Sequence, residues 1–421
     1  MSKIPLAIVG CGGMGHRHMY GLAELQRAGL SPFELVGACD PVLENAESLA
    51  DQAAEHFGTR PTVVGKMDDL VALGVQAVDI TTTPRFHHSL GVQAVHNGFH
   101  AMIEKPVGLT VRASNIIRKA AAEKNLVVSV AENYRRDPIN RLAKALIDGG
   151  IIGQPRFMIH TTTSTGGNQM MISVWRHQKD QSGVLLDVGV HFADMMEYFM
   201  GEISSVYAQT RLYEKTRHNP AGAGETPQSA PNPIYAKFQK QMPADFEATA
   251  EDACYATINF ASGAVGQYIE NHAGHGKGIW CREIHGSKGS MDLPNDRSGR
   301  NLVLHRLGQE SISDERILDL VPDFKLDTAT AALFGGDRLW KYEFPFEYTD
   351  RKLIAVEYDD FARGILGERP VEVDLYQGTR SVAVSYSILE SGVAGRLVTL
   401  DEVLNEELDA YQRDINDSMD I

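Results

Sequence analysis

Three glycines with the spacing G-x-G-x-x-G, namely Gly10, Gly12 and Gly15, stand near the start of this 421-residue chain. A β-prone run, Ile4–Val9, precedes them, and residues 16–27 have the spacing of a helix. In such a unit the first glycine permits a tight turn, the second lets the backbone approach a pyrophosphate, and the third lets helix pack closely on strand. The turn therefore predicts a dinucleotide site. Its expected cofactor-binding residues are Gly10, Gly12, Gly13, Met14 and Gly15.

An acid stands where a dinucleotide site needs one. A second apolar run, Phe33–Cys39, leads directly into Asp40. A carboxylate in this position hydrogen-bonds the adenosine ribose hydroxyls of NAD and repels the 2′-phosphate of NADP. Pro41, the next residue, adds no cation that would attract that phosphate. The sequence therefore predicts NAD rather than NADP as the cofactor.

A lysine follows a later strand of the same region. Residues 99–103 form an apolar run that leads into Glu104-Lys105-Pro106. An isolated lysine before a proline is ordinarily a surface residue at a turn. In a nucleotide-binding domain, however, ligands gather at the carboxyl ends of the strands. Lys105 is therefore expected to face the bound cofactor.

An acid and a histidine stand four residues apart in a largely apolar segment. A helix is predicted over residues 183–199, and on it Asp187 and His191 would share one face, which Asp194 extends. The pattern indicates acid–base chemistry. The alternatives are a buried Asp–His pair that is satisfied internally and a pair on the helix surface. The spacing supplies only two metal ligands, so no metal site is predicted.

The elements that position these residues fall into two patterns. Strands and helices alternate up to residue 131, which favours the α/β class with a doubly wound, mainly parallel sheet. Beyond residue 156 β-type runs dominate, which favours an α+β domain on a large, mainly antiparallel sheet. We predict a dinucleotide-binding domain over residues 1–131 and a substrate-binding and oligomerisation domain over residues 132–421. The strands expected in the second domain are residues 157–163, 206–212, 253–260, 265–271 and 280–285.

Two segments have no place in either predicted sheet. Residues 211–246 are rich in proline and are expected to form either a long excursion at the rim of the site or an oligomer arm. Residues 400–421 are acidic and are expected to form a surface helix with a frayed tail.

Composition limits the partners and the compartment. A formal charge of −15 disfavours nucleic acid and anionic membranes as partners, because both require a basic surface. Four cysteines without a C-x-x-C pair fit a reducing cytoplasm better than a disulfide framework. Neither a secretory signal nor a membrane span is predicted, since no apolar run approaches about 18 residues.

Taken together, the motifs resemble the Gfo/Idh/MocA family, the relatives of glucose-fructose oxidoreductase and inositol dehydrogenase. The resemblance covers most of the chain and rests on the glycine turn, Thr83-Pro84 with His88, Glu104-Lys105-Pro106, and Asp187-x-x-x-His191-x-x-Asp194. It implies an N-terminal Rossmann domain, an NAD or NADP cofactor in its crevice, and a C-terminal domain whose open sheet often forms the oligomer interface. A homodimer or homotetramer is therefore expected.

The resemblance also implies residue roles. Lys105, Asp187 and His191 are the expected catalytic residues. By the resemblance or by position, the further expected cofactor-binding residues are Thr82, Pro84, His88, Glu104 and Lys105. His88 alone would equally suit a capping or core position.

The chain departs from the family pattern in two places that leave the substrate open. The usual double glycine before the catalytic helix is replaced by Ser182-Gly183, and residues 211–246 are longer than in compact members. Trp175-Arg176 would offer an aromatic face and a forked donor to a sugar or an anion, or would simply pack. The candidate substrate residues are Tyr134, Arg135, Trp175, Arg176, His272 and His275, together with Trp280.

These expectations predict reversible hydride transfer between a secondary carbinol of a cyclic polyol, sugar or sugar derivative and the nicotinamide. His191 is the preferred base because its unperturbed pKa lies near neutrality, and Lys105 is the alternative. The same machinery would serve an NAD-dependent glycoside hydrolase that oxidises, eliminates, hydrates and reduces. A nucleotide sensor without turnover would not need Lys105, Asp187 and His191 together, and a methyltransferase would leave Glu104-Lys105-Pro106 unexplained.

Overall fold

The computed structural model describes residues 3–225 and 233–421. Contacts divide the chain into two compact units. The first comprises Met1–Arg136, Asp327–Asp337 and Pro345–Thr379, and the second comprises Asp137–Leu326, Arg338–Phe344 and Arg380–Ile421.

The secondary-structure elements are numbered here in chain order. The strands are β1 (Ile4–Val9), β2 (Phe33–Cys39), β3 (Thr62–Val64), β4 (Ala77–Ile80), β5 (His100–Glu104), β6 (Val128–Ala131), β7 (Pro155–Thr163), β8 (Ile203–Arg211), β9 (Thr216–His218), β10 (Asp245–Glu247), β11 (Ala253–Phe260), β12 (Val265–Asn271), β13 (Ile279–Gly286), β14 (Gly289–Asp292), β15 (Val303–Arg306) and β16 (Val398–Thr399). The α-helices are α1 (Gly13–Arg27), α2 (Leu43–Phe57), α3 (His87–His96), α4 (Val111–Ala122), α5 (Pro138–Asp148), α6 (Val184–Asp187), α7 (Gly189–Met200), α8 (Pro233–Gln239), α9 (Thr328–Phe334), α10 (Phe346–Ile365), α11 (Leu375–Ala394), α12 (Leu400–Leu404) and α13 (Arg413–Ser418).

The sheet of the first unit is parallel throughout. Its six strands run in the order β3-β2-β1-β4-β5-β6. The order reverses between β1 and β4, and at such a switch point the carboxyl ends of the strands border a ligand crevice. The predicted doubly wound sheet is confirmed. Thr110 caps α4 as its position suggests, because its hydroxyl accepts the N–H of Ala113 at 3.1 Å.

The first unit is completed by chain from the C-terminal third. Helix α10 packs along α1 so closely that a Cβ atom at Gly21 would stand 2.4 Å from Ile354. The ring of Phe361 stacks on Phe33 of β2 at 5.9 Å. At the edge of the sheet, the N–H of Val130 donates to Val373 at 2.9 Å. The single boundary predicted at residue 131 leaves out this return, because periodicity identifies an apolar helix face but not the element that it covers.

The large sheet of the second unit is mixed and mainly antiparallel. Its eight strands run in the order β15-β14-β13-β7-β12-β11-β8-β16. Only β7 and β12 are parallel neighbours, and the other pairs are antiparallel. The five predicted strands are present within a few residues of their expected bounds. The short strands β14 and β15 were not predicted.

The two faces of this sheet differ in cover. His160 and Tyr268, cross-strand neighbours on β7 and β12, point to the face where Phe192 of α7 packs, with ring centroids 4.4 and 6.2 Å from it. The opposite face carries exposed apolar side chains. These exposed side chains are Phe157, Tyr207, Tyr255, Val265 and Ile279.

The two segments left outside the predicted sheets are ordered over their described parts. Residues 211–246 include the paired strands β9 and β10 and the helix α8, although residues 226–232 lie outside the described residues. The predicted frayed tail is wrong, since Ile415 and Asn416 are each 1% exposed. Glu390 of α11 holds this tail by accepting the backbone N–H of Tyr411 at 2.9 Å.

Helix length and polarity bear on membrane insertion. Across residues 3–225 and 233–421, every helix is too short or too polar to span a lipid bilayer.

Candidate active site

The turn between β1 and α1 has the geometry that its glycines allow. Gly10 has a φ of +98°, and a Cβ atom there would stand 2.8 Å from the backbone nitrogen of Thr82. A Cβ atom at Gly15 would stand 2.2 Å from the carbonyl oxygen of Gly10. At Gly12, by contrast, a Cβ atom would meet nothing within 4 Å. The backbone is therefore close-packed at the outer glycines and open at the middle one.

The carboxylate of Asp40 lies against this turn. Its Oδ2 accepts the N–H of Cys11 at 2.8 Å, and its Oδ1 accepts the N–H of Val42 at 2.8 Å. The residue is 7% exposed. A carboxylate oxygen accepts more than one hydrogen bond, so the anchored group keeps acceptor capacity for a pair of hydroxyls.

These features fit a dinucleotide. A pyrophosphate is favoured by the open backbone at Gly12 and by the N-terminus of α1. The residues that would hold it are Gly12, Gly13 and Met14, with Asp40 at the ribose. Among the described residues, no group of three or more His, Cys, Asp and Glu side chains is placed to hold a metal ion.

A buried histidine joins the two other loops at the carboxyl edge of the sheet. The ring of His87 lies between two carbonyl oxygens, with Nδ1 2.8 Å from that of Pro106 and Nε2 3.1 Å from that of Thr82. Burial lowers the pKa of His87, so the ring is neutral and donates one N–H. It therefore ties the loop after β4 to the loop that carries Lys105. The motif had pointed instead to the neighbouring residue His88, and that side chain is half-buried.

A second buried histidine connects α1 to the lysine strand. His18 lies between two carboxylates, with Nδ1 2.9 Å from Asp79 and Nε2 3.0 Å from Glu104. Burial alone would lower the pKa of His18, but Asp79 and Glu104 raise it well above its usual value. Burial likewise opposes ionisation of Glu104, yet His18 lowers the pKa of that carboxyl. Glu104, which was expected beside the cofactor, is thus bound to α1 through His18, directly before Lys105 in the chain.

Asp187 and His191 lie on two successive helices rather than on one. Helix α6 ends at Asp187 and α7 begins at Gly189, with Val188 between them. The N–H of His191 donates to Val188 at 3.1 Å, a three-residue spacing that marks a tightened turn. The predicted unbroken helix is wrong at this point, because glycine is a poor helix former. A spacing of four residues is therefore not evidence of a shared face here.

Arg176 pairs with Asp187. Its Nε donates to Oδ2 of Asp187 at 2.7 Å, and its Nη1 donates to the hydroxyl of Ser173 at 2.8 Å. The guanidinium stands 4.1 Å from the centre of the Trp175 ring. Arg176 and Asp187 are 5% and 4% exposed. Arg176, a predicted substrate residue, thus binds the predicted catalytic residue Asp187, and Trp175, another predicted substrate residue, packs against the guanidinium.

His177, next to this pair, is a neutral acceptor. Its Nε2 accepts the N–H of Met171 at 2.9 Å. Burial, followed by the electrostatic influence of Arg217, lowers the pKa of His177 to about 3. The ring is therefore unprotonated at neutral pH. It positions the loop before α6 and does not titrate in the range where a base of this chemistry would act.

The remaining candidates in the second unit are dispersed. His272 lies with Nε2 2.5 Å from Glu270, whereas His275 pairs with Glu214 at 2.8 Å and has a 70% exposed side chain. The indole N–H of Trp280 donates to the carbonyl of Leu293 at 3.2 Å, and its ring packs on His160. Trp280 is therefore held as a packing residue of the sheet.

Tyr134 and Arg135 belong to the first unit. They lie in a 3-10 helix, Tyr134–Arg136, directly after β6, and are 8% and 9% exposed. The backbone N–H of Tyr134 donates to Glu132 at 2.9 Å. The sequence patterns did not identify Glu132, His18, His87 or Ser173. Glu132 alone of these carried a positional signal, since it directly follows β6.

Fold and glycine turn together define a nucleotide-binding α/β protein with a second α+β unit. A family model described as "Oxidoreductase family, NAD-binding Rossmann fold" matches residues 4–132. A second, "Oxidoreductase family, C-terminal alpha/beta domain", matches residues 144–400. The chain belongs to the Gfo/Idh/MocA oxidoreductase family, as its motifs predicted, and it carries the family's NAD-binding domain.

Curated and solved relatives agree in length and fold. The chain is 27% identical over 410 residues to levoglucosan dehydrogenase of Pseudarthrobacter phenanthrenivorans, covering 96% of this chain and 100% of that protein. It is 24% identical to scyllo-inositol 2-dehydrogenase (NAD(+)) of Bacillus subtilis, covering 77% and 81% of the two chains. A solved levoglucosan dehydrogenase in complex with NADH and levoglucosan superposes with a TM-score of 0.74 at 24% identity, covering 94% and 99%.

Proposed function

We propose that this protein is an NAD-dependent dehydrogenase that oxidises a secondary carbinol of a cyclic polyol, sugar or sugar derivative. The buried Arg176–Asp187 pair is the observation that carries the proposal. Because Oδ2 of Asp187 already accepts from Arg176, Asp187 acts as a fixed acceptor that orients a hydroxyl rather than as the group that takes its proton. The proton then falls to another residue, as an alcohol dehydrogenase requires.

His191 is the preferred base. It stands in the first turn of α7 and is 9% exposed, and an imidazole has an unperturbed pKa near neutrality. Lys105 would hydrogen-bond the reacting oxygen and the nicotinamide ribose, with its amine as the alternative base. NAD, when bound, supplies the nicotinamide C4 that accepts the hydride.

Asp40 supports NAD over NADP. Its two oxygens are anchored by the N–H groups of Cys11 and Val42, which fixes a negative charge at the end of β2. A 2′-phosphate there would face that charge without a compensating cation from Pro41 or Val42.

Relatives support the substrate class. Curated relatives include enzymes named for levoglucosan, scyllo-inositol and D-apiose, and a D-glucoside 3-dehydrogenase. Each of these names refers to a polyhydroxylated compound with a secondary carbinol. We extend that class, and not one compound, to this chain.

The exposed face of the large sheet supports a homodimer or homotetramer. Phe157, Tyr207, Tyr255, Val265 and Ile279 leave apolar area on one side of a single sheet. Patches of this kind mark association sites. The four free cysteines fit a cytoplasmic enzyme.

The experiment is incubation of the protein with NAD and a panel of cyclic polyols, free sugars and glycosides. NADH formation and aglycone release are followed in the same samples. Accumulation of NADH without bond cleavage is expected and identifies the substrate class. Aglycone release without net NADH would make the protein a redox glycoside hydrolase instead, and neither signal with any substrate would contradict enzymatic turnover of this class.

A further inference from the structure

A buried acid stands beside Lys105 at the carboxyl edge of the parallel sheet. Strands β5 and β6 are parallel neighbours whose last paired residues are Glu104 and Ala131. The residues that follow this pair, Lys105 and Glu132, therefore leave adjacent strands side by side, and neighbouring strands lie about 4.8 Å apart. Glu132 is 3% exposed, and the functional roles assigned above do not use it.

The surroundings of Glu132 contain groups of both charges. Burial raises the pKa of Glu132 to about 7, while the backbone N–H of Tyr134 and the charge of Lys105 act in the opposite direction. Arg135 also lowers this pKa and Glu104 raises it. The carboxyl therefore exchanges its proton in the neutral range and responds to the charge on Lys105.

Helix α10 brings a further acid to the same place. Glu357 is 2% exposed, and its Oε1 is buried without a hydrogen-bond partner. Burial raises the pKa of Glu357 well above its usual value, against the opposing charges of His18 and Arg136, and Glu132 adds to the rise. Glu357 is therefore harder to ionise than an ordinary glutamic acid, and Glu132 is the acid that follows the strand beside that of Lys105.

We propose that Glu132 is a positioning residue that exchanges a proton with Lys105 during alcohol oxidation. This inference rests on the proposed function with its alternative base, Lys105, in place of His191. The ammonium of Lys105 gives a proton to the carboxylate of Glu132, which leaves a neutral amine and a neutral carboxyl group. The amine lone pair then takes the proton of the substrate hydroxyl as the C–H electron pair leaves with hydrogen as hydride, which NAD, when bound, would accept. Lys105 ends as the ammonium, the substrate as the ketone, and Glu132 holds the first proton until solvent takes it.

A purely structural acid would share the burial of Glu132 but not its coupling to Lys105. Infrared titration of the cofactor-free protein separates the two, because the carbonyl stretch of a protonated carboxyl is absent from the carboxylate. In the wild type this signal is expected to include a component that disappears near pH 7. Glu132→Gln should remove that component. Glu390→Gln is the matched control, because Glu390 is also fully buried, has a raised pKa and lies in the second unit, and it should leave the component in place.

Lys105→Met tests the pair itself. Removing the ammonium should move the midpoint of the Glu132 component upward by about one pH unit or more. An unchanged midpoint in Lys105→Met, or an undiminished component near pH 7 in Glu132→Gln, overturns the proposal.

Kinetics supply the second readout. Glu132→Gln should lower kcat at least about tenfold with little change in KM, and Glu132→Asp should restore part of the loss. An unchanged kcat in Glu132→Gln would reject the proton exchange even while NADH formation by the wild type sustains the dehydrogenase function. Failure of the wild type to oxidise any substrate would reject the proposed function, whereas the infrared coupling is measured without it.

Discussion

Arg176 donates from Nε to Oδ2 of Asp187 at 2.7 Å, and the same guanidinium is held by Ser173 and lies over Trp175. Both members of the pair are nearly inaccessible to solvent. A buried ion pair of this kind is costly to break from one side, because the partner charge is left without compensation. The ion pair therefore explains the presence of Arg176 shortly before the predicted catalytic residues Asp187 and His191. It does not require that Arg176 contact the substrate.

Replacing Arg176 should affect turnover more than substrate affinity. Arg176→Gln is expected to lower kcat at least about tenfold and to destabilise the fold by about 3 kcal/mol, because Asp187 loses its charge partner. Arg176→Lys keeps the positive charge but not the planar guanidinium, so its kcat should lie between those of the wild type and Arg176→Gln. Steady-state kinetics with urea unfolding measures both effects. A large rise in KM at constant kcat would instead make Arg176 a direct substrate contact.

The middle and last glycines of the turn should fail in different ways. Gly12→Ala places a methyl group in open space, so the melting temperature should change little while the dissociation constant for NAD rises at least about tenfold. Gly15→Ala forces a contact with the Gly10 carbonyl and should cost about 2 kcal/mol of stability. Calorimetric unfolding and NAD titration give the two quantities. Equal destabilisation by both changes would argue against the open cradle at Gly12.

Cofactor preference should depend on the charge of Asp40. Asp40→Ser removes the carboxylate, so the ratio of kcat/KM for NAD to that for NADP is expected to fall at least about tenfold. Asp40→Asn is the matched control for shape, since it keeps an acceptor for the N–H of Cys11. The ratio should fall in both variants if charge decides the preference. A wild type that prefers NADP would contradict the assignment.

His191 should be distinguishable from an ordinary surface histidine. His191→Ala is expected to lower kcat roughly a hundredfold or more if the imidazole is the base. His305→Ala is the control, because His305 lies on β15 with Asp292 and Ser311 and should leave kcat unchanged. NADH formation under saturating NAD provides the comparison. An unaffected kcat in His191→Ala would transfer the base to Lys105.

Acid should destabilise the second unit through His177. An unfolded histidine has a pKa near about 6.5, whereas the folded ring has a pKa of about 3. Between these values the unfolded chain binds a proton that the folded chain refuses, so stability falls as the pH is lowered through this window. The loss is on the order of 5 kcal/mol in total. Urea unfolding at pH 7 and pH 4 should give a smaller difference for His177→Gln than for the wild type, and an equal difference would refute the assignment.

Much of the fold was predictable because its signals are local. The glycine turn, the cap at Thr110 and the five long strands of the second sheet each depend on neighbours within a few residues. The family also followed from motifs such as Glu104-Lys105-Pro106, since each combines residue type with a position at a strand end.

The rest depended on contacts between distant parts of the chain. His18 and Glu104 are 86 residues apart, and no periodicity relates them. His87 and His88 are the first two residues of α3, so the sequence alone did not select the buried one. Arg176 and Asp187 are 11 residues apart, and no periodicity relates them either.

Helix α10 lies against α1 although more than 300 residues separate them in the chain. During synthesis, the strands of the parallel sheet therefore leave the ribosome long before α10, the helix that packs on α1, has been made. Until that point the face of α1 around Gly21 remains open to other chains in the cell. A fragment ending at residue 131 should accordingly aggregate, whereas one that fuses residues 345–379 to it should fold into a nucleotide-binding domain.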